Sequence, residues 1–184
     1  MSRRSRQHSQ IDARKKRKLI KVVAMLYLLV VGATSFFLID AQLRKHFSIH
    51  WVSGTSMEQN LHDGDAVLVR KQRTIRRYEV IVFNVPKEPD MFVKRVVGMP
   101  GDTILIKNNR MILNIGEPEN FETIYTFQMN PAAAKTMQPL TKIPEDCYFV
   151  IGDHVDVSKD SRSFGLVRQT EIEGIVQWQL AAIN

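Results

Sequence analysis

Two hydrophobic rhythms divide the chain. Residues 22–39, VVAMLYLLVVGATSFFLI, contain no charged side chain. As a helix rising 1.5 Å per residue, that stretch spans roughly 27 Å, close to the hydrocarbon core of a bilayer. After Asp40 the apolar positions come in short runs rich in β-branched and aromatic residues: DAVLVRK (65–71), EVIVFNV (79–85), MFVKRVVG (91–98), DTILIK (102–107), RMILN (110–114), CYFVIG (147–152) and EIEGIVQWQL (171–180). Each reads as a strand. Asn108-Asn109 separates two of them and predicts a hairpin turn, since Asn tolerates positive φ; Pro100-Gly101-Asp102 predicts another turn. Residues 116–146 hold few strand signals and four prolines, Pro118, Pro131, Pro139 and Pro144, and read as an irregular excursion or small subdomain. No long stretch carries an amphipathic helical period. The expected organisation is a tail over 1–18, a membrane helix over 19–40 and a mainly β domain over 41–184.

Charge changes this picture at one end. The chain has 184 residues and a net charge of +7. Residues 1–21 hold nine cations, Arg3, Arg4, Arg6, Arg14, Lys15, Lys16, Arg17, Lys18 and Lys21, against Asp12 alone. They account for more than the whole excess, so the β domain is near neutral and no basic face for nucleic acid is implied. The tail is either a solvated cation run or a lipid-contacting one. A cleavable secretory signal is the competing reading of 22–39. However, no A-x-A-like site follows in DAQLRKHF, and the run exceeds a usual signal core. A retained, single-pass anchor is expected, with its basic end in the cytoplasm and the β domain outside. Cys147 is the only cysteine, so no intrachain disulfide forms. It reads as a small core residue, with no basic neighbour to make it a nucleophile.

Three polar stretches carry candidate chemistry. WVSGTSMEQNLHDGD (51–65) sets Ser53, Thr55 and Ser56 around Gly54. In DMFVKRVVGMPGD (90–102), Lys94 shares a strand face with Phe92 and Val96, while Arg95 shares the other with Val93 and Val97. Both faces are apolar, so alternation does not say which cation is buried. A desolvated lysine can give up its proton and act as base to a serine, whereas an arginine cannot. The competing reading is a lysine whose stem packs while its ammonium reaches water. GDHVDVSKDSRSFG (152–165) concentrates Asp153, Asp156, Ser158, Asp160, Ser161 and Arg162. As a calcium loop begun at Asp156 it fails, with Ser161 and Val167 where Gly and Glu are needed. A loop held by its own Asp-Arg and Ser hydrogen bonds is the plainer reading.

Taken together and in this order, SGTSM, FVKRVVGMPGD and GD…SKDSRSFG on a β domain beyond an apolar anchor resemble bacterial type I signal peptidase, the Ser-Lys leader peptidase family, in its short Gram-positive-like form. RRYEVIVFNVP (76–86) is similar to a further family segment, and the resemblance runs from about residue 51 to 178. It implies a mainly β, signal-peptidase/LexA-like catalytic domain and a membrane-anchored serine endopeptidase that removes signal peptides from exported preproteins. It implies Ser56 as nucleophile, Lys94 as general base, Ser158 as the hydroxyl orienting the lysine, and Asp160 and Arg162 as braces of that loop. The backbone N–H of Ser56 would serve the oxyanion; Gly54 stands where some relatives add a serine. Partners implied are signal peptides and the lipid bilayer, with no cofactor, no metal and no nucleic acid.

The departures fall beside the motifs. Gln59 and Asn60 replace the usual Pro and Thr after the nucleophile, His154 and Val155 replace Asn and Arg, and RYE replaces R-G-D. None removes a reacting group. They motivate one alternative from another class: a non-catalytic, signal-peptidase-like membrane factor that assists secreted or pilus subunits.

Overall fold

The structure is a computed structural model and describes residues 3–58, 60–71, 74–116 and 123–180. Gln59 and residues 117–122 of the expected excursion lie outside the described residues.

The chain divides into two compact units, Met1–Lys45 and His46–Asn184. The first is helical. Helix α1 runs over Arg3–His46, so it continues past the apolar stretch at both ends. Its segment Ile20–His46 is long and apolar enough to cross a membrane. Tyr27, Leu28, Phe37 and Leu38 are all exposed, as suits a lipid-facing surface.

The second unit is built from strands β1 (Phe47–Trp51), β2 (Ala66–Arg70), β3 (Val80–Asn84), β4 (Met91–Gly98), β5 (Thr103–Lys107), β6 (Arg110–Asn114), β7 (Ile124–Gln128), β8 (Cys147–Ile151), β9 (Val167–Arg168) and β10 (Ile172–Leu180). Two short helices interrupt them, α2 (Pro131–Met137) and α3 (Ser161–Phe164). The main sheet has seven antiparallel strands in the order β1-β2-β10-β3-β4-β8-β9, and β5-β6-β7 form a second sheet. The architecture is mainly β, as the short β-branched runs predict. Bulges in β4 and β10 shift the register and bend the main sheet.

Local chemistry explains the turns. Asn108 and Asn109 both take positive φ, 52° and 58°, the geometry of a tight hairpin whose twist matches its strands. Their turn joins β5 to β6, where Ile104 faces Leu113 and Ile106 faces Met111. The expected excursion is partly regular: β7 pairs with β6, and α2 packs Ala133, Ala134 and Met137 into the core beneath this small sheet. Pro131 does not break structure here. It occupies the first turn of α2, where its missing N–H costs nothing, while Asn130 caps the helix by accepting from the Ala132 N–H.

Three buried clusters fill the unit. One joins Met111, Leu113, Met137 and Phe149 under the small sheet; a second holds Ile81, Phe83, Val96 and Val150. The third gathers Val52, Met57, Leu61, Val67, Val69 and Val82 beneath the turn that carries Ser56.

Candidate active site

The turn around Ser56 is shaped by its neighbours. Gly54 sits at φ 86°, a conformation open to glycine, and its N–H donates to Asp63 Oδ1 at 2.7 Å. The Glu58 N–H then donates to the Thr55 carbonyl, and the Asn60 and Leu61 N–H groups donate to the Met57 carbonyl. Met57 is 1% exposed and plugs the third core cluster. Burying a methionine contributes about 2 kcal/mol, so this side chain anchors the turn and presents Ser56, its neighbour, at the surface.

Strand β4 brings Lys94 to the same place. The sequence left open which cation of the Lys-Arg pair is buried; it is Lys94, at 3% exposure. Lys94 Nζ lies 2.7 Å from Ser56 Oγ and 2.8 Å from the Val93 carbonyl, with the Phe92 ring centroid 5.6 Å away. Burial lowers its pKa from the ordinary 10.5 to about 8, against the carboxylates of Asp160 and Asp153, which favour the charged form. Arg95 points the other way. Its Nε and Nη2 clasp Asp153 at 2.8 and 2.6 Å, and Nη1 donates to the Tyr78 carbonyl.

Residues 152–160 form the opposite wall. Asp160, wholly buried, takes Nε and Nη2 of Arg162, both at 2.8 Å, and the N–H groups of Arg162 and Gly152. Arg162 Nη2 also donates to the Val155 carbonyl, so the pair cross-links the loop. Ser161 Oγ accepts from the Val150 N–H, fixing the loop to β8. The Ser158 hydroxyl is buried without a hydrogen-bond partner among the described residues; the Lys94 amine meets Ser56 and Val93 instead. Gly152 makes room for it: a Cβ there would lie 2.1 Å from Ser158 Oγ and 2.7 Å from the Ser56 carbonyl oxygen.

A groove of about 670 Å³ opens over Ser56 and Lys94, lined also by Ser53, Thr55, Met91, Phe92, Val93 and Val157. One wall is strand edge. Residues Met91–Lys94 pair with β3 on one side, whereas β8 joins β4 only from Arg95 onward. Among the described residues no cluster of three His, Cys, Asp or Glu could hold a metal ion. A hydroxyl, a poised amine and a dry neighbourhood can carry out acyl transfer by nucleophilic attack.

The family described as signal peptidase, peptidase S26, matches residues 16–181. The chain belongs to that family. A signal peptidase I of Bacillus caldolyticus is 34% identical over 149 residues, covering 72% of this chain and 79% of the relative. A signal peptidase I of Bacillus licheniformis is 32% identical over 186 residues, covering 92% of both. A signal peptidase IB of Staphylococcus aureus is 33% identical over 144 residues, covering 70% of this chain and 74% of the relative. A crystal structure of a signal peptidase I from Enterococcus faecalis is 26% identical, covers 57% of this chain and 98% of its own, and gives a TM-score of 0.40. This chain is therefore a peptidase that removes signal peptides, and a purely non-catalytic role is not favoured. Its apolar helix fits the anchoring of such an enzyme to a membrane.

All five residues that the sequence singles out stand in this region: Ser56 and Lys94 touch, Asp160 and Arg162 pair, and Ser158 lies against Gly152. Cys147 stands apart at the start of β8, and burial with the Asp146 hydrogen bond pushes its thiol up to about 11. Sequence reasoning missed Asp153 and Asn60 as partners. Asn60 Nδ2 donates to Asp153 Oδ2 at 2.6 Å. No local signal joins two residues so far apart in the chain, although the departure from the usual motif at Asn60 marks the position.

Proposed function

We propose that Ser56 and Lys94 are the nucleophile and general base of signal-peptide cleavage, and that the groove takes the substrate as an added strand along Met91–Lys94. The observation that carries this reading is the 2.7 Å contact between Ser56 Oγ and an amine that is 3% exposed. Ser56 Oγ attacks the scissile carbonyl carbon while its proton passes to Nζ. The carbonyl oxygen becomes an oxyanion, facing the Ser56 backbone N–H. As the C–N bond breaks, the Lys94 ammonium returns that proton to the leaving amine, and an ester on Ser56 remains. A water then attacks the ester, Lys94 takes its proton, and Ser56 is released with the proton restored. The Ser158 hydroxyl makes no hydrogen bond to the Lys94 amine in this geometry, and the Asp160–Arg162 pair braces the loop that carries it.

The unpaired edge at Met91–Lys94 suits an extended chain, whose main-chain groups supply affinity while alternate side chains enter pockets. Small residues before the cut fit, and bulky ones are rejected by overpacking. The anchor confines the enzyme to the bilayer that holds the substrate's apolar segment. The basic cluster at its N-terminal end favours a cytoplasmic tail and an extracytoplasmic catalytic unit. Within that unit Ile49, Trp51 and Trp178 are exposed on the β1-β2-β10 part of the sheet, and tryptophan suits a membrane interface.

Full-length protein in detergent should cut a preprotein after Ala. Ser56→Ala and Lys94→Arg should each abolish cleavage with the fold retained, the second because a guanidinium stays charged. Substantial cleavage by Lys94→Arg would overturn the base assignment.

A further inference from the structure

Asn60 belongs to the Ser56 turn: its N–H closes on the Met57 carbonyl at 2.9 Å. Its side-chain amide reaches across to Asp153 Oδ2 at 2.6 Å. Asp153 is held from its other side by Arg95, at 2.8 and 2.6 Å. Arg95 follows Lys94 in β4, and Lys94 Nζ meets Ser56 Oγ at 2.7 Å. The contacts close a ring, from the nucleophile through its turn to Asn60, Asp153 and Arg95, and through Lys94 back to the nucleophile. A second link joins the same two segments, since the His154 N–H donates to the Ser56 carbonyl at 3.0 Å. His154 Nδ1 lies 3.5 Å from Glu58 Oε2, too long for a hydrogen bond, so that approach adds little.

We infer that Asn60 is a positioning residue for the reaction: its amide, through Asp153 and Arg95, holds the turn bearing Ser56 in register with the strand bearing Lys94. A carboxylate only accepts, and Asp153 has more acceptor sites than Arg95 fills. The bond it receives from Asn60 is charge-assisted; its carboxylate end is 9% exposed, while its amide end lies at the surface. Burial works to raise the Asp153 pKa, yet the hydrogen bonds from Arg95 and Asn60 hold it below the ordinary value. The carboxylate thus stays ionised and available to both donors. The motif's usual Pro and Thr are absent at Gln59 and Asn60. A proline stiffens a turn from within; a side-chain tether to a fixed carboxylate stiffens it from outside.

This inference rests on the reading of Ser56 and Lys94 above. The test uses full-length protein in detergent and steady-state cleavage of a preprotein across pH. Asn60→Ala should lower kcat by about ten- to a hundredfold with KM within about twofold, the cost of a small misplacement of reacting groups. Asn60→Asp should lower it further and move the acid limb of kcat/KM to higher pH, because a second carboxylate beside Asp153 favours the charged lysine. Asn60 is exposed, so thermal melting should show both variants folded. If both keep kcat within about twofold and the acid limb does not move, or if only KM changes, Asn60 is not a positioning residue. Ser56→Ala, run alongside, separates the failures. A live Ser56→Ala overturns the dyad itself, whereas a dead Ser56→Ala with unaffected Asn60 variants overturns this inference alone.

Discussion

Replacing Lys94 by methionine should destroy activity and stabilise the protein, by an amount that pH sets. Lys94 is 3% exposed, and burial takes its amine from 10.5 to about 8. At about 1.4 kcal/mol per tenfold change in acidity, that displacement costs the folded state roughly 3 kcal/mol when the amine is charged. The folded pKa lies below the unfolded one, so the unfolded chain binds more protons between the two values. Stability from this group therefore rises with pH across about 8 to 10.5. Below pH 8 the whole cost is present; above 10.5 it is gone. Methionine has a similar stem and no charge, so Lys94→Met removes the cost at neutral pH and changes little in strong base. For a unit of this size, roughly 3 kcal/mol corresponds to about 10 °C in Tm. The assay is thermal unfolding of full-length protein and variant in detergent at pH 6.5 and pH 10.5, beside preprotein cleavage. The parent's kcat/KM should fall about tenfold per pH unit below 8, since only the neutral amine is a base. Equal melting of the two proteins at both pH values, or a rate flat down to the carboxylate range, would refute the buried-amine argument.

Three other outcomes follow from the geometry. Gly152→Ala should cut activity at least a hundredfold, because its Cβ meets Ser158 Oγ at 2.1 Å and the Ser56 carbonyl at 2.7 Å; near-normal kcat would count against the packing described. Tyr78 holds φ at 70° and its hydroxyl lies 3.2 Å from that of Tyr125. Tyr78→Ala keeps the strained backbone and loses that contact, so it should be less stable than Tyr78→Gly by about 1 kcal/mol, measurable by thermal unfolding. Asp160→Asn should destabilise by about 3 kcal/mol, since it leaves Arg162 beside a wholly buried, uncharged partner; a change under about 1 kcal/mol would mean the pair does not brace the loop.

Much of this molecule is legible in its sequence because its strands alternate or run apolar where their environment demands it. The seven runs read as strands all form strands, with ends within one residue. What escapes is β1, whose polar Ser48 and His50 face Glu173 on β10. Their polarity is satisfied by a residue distant in the chain, so the local pattern looks like linker. β7 hides in the same way, among prolines that read as breakers when one of them starts a helix. The site divides similarly. Ser56 and Lys94 stand out through their motifs, yet alternation cannot choose between Lys94 and Arg95. That choice is made by Asp153, which receives the arginine and leaves the lysine to the core.

If substrate docks as proposed, the edge at Met91–Lys94 has a consequence for turnover. Main-chain hydrogen bonds do not distinguish a chain about to be cut from the fragment left after cutting. An edge of this kind contributes affinity equally to substrate, transition state and product; the first two make it uniform binding, which lowers KM without speeding the chemical step, and the third slows release. In that mode the fragment upstream of the cut would still offer an extended end to the same groove. Its departure competes with the next substrate, so release rather than acylation can set the pace at saturation.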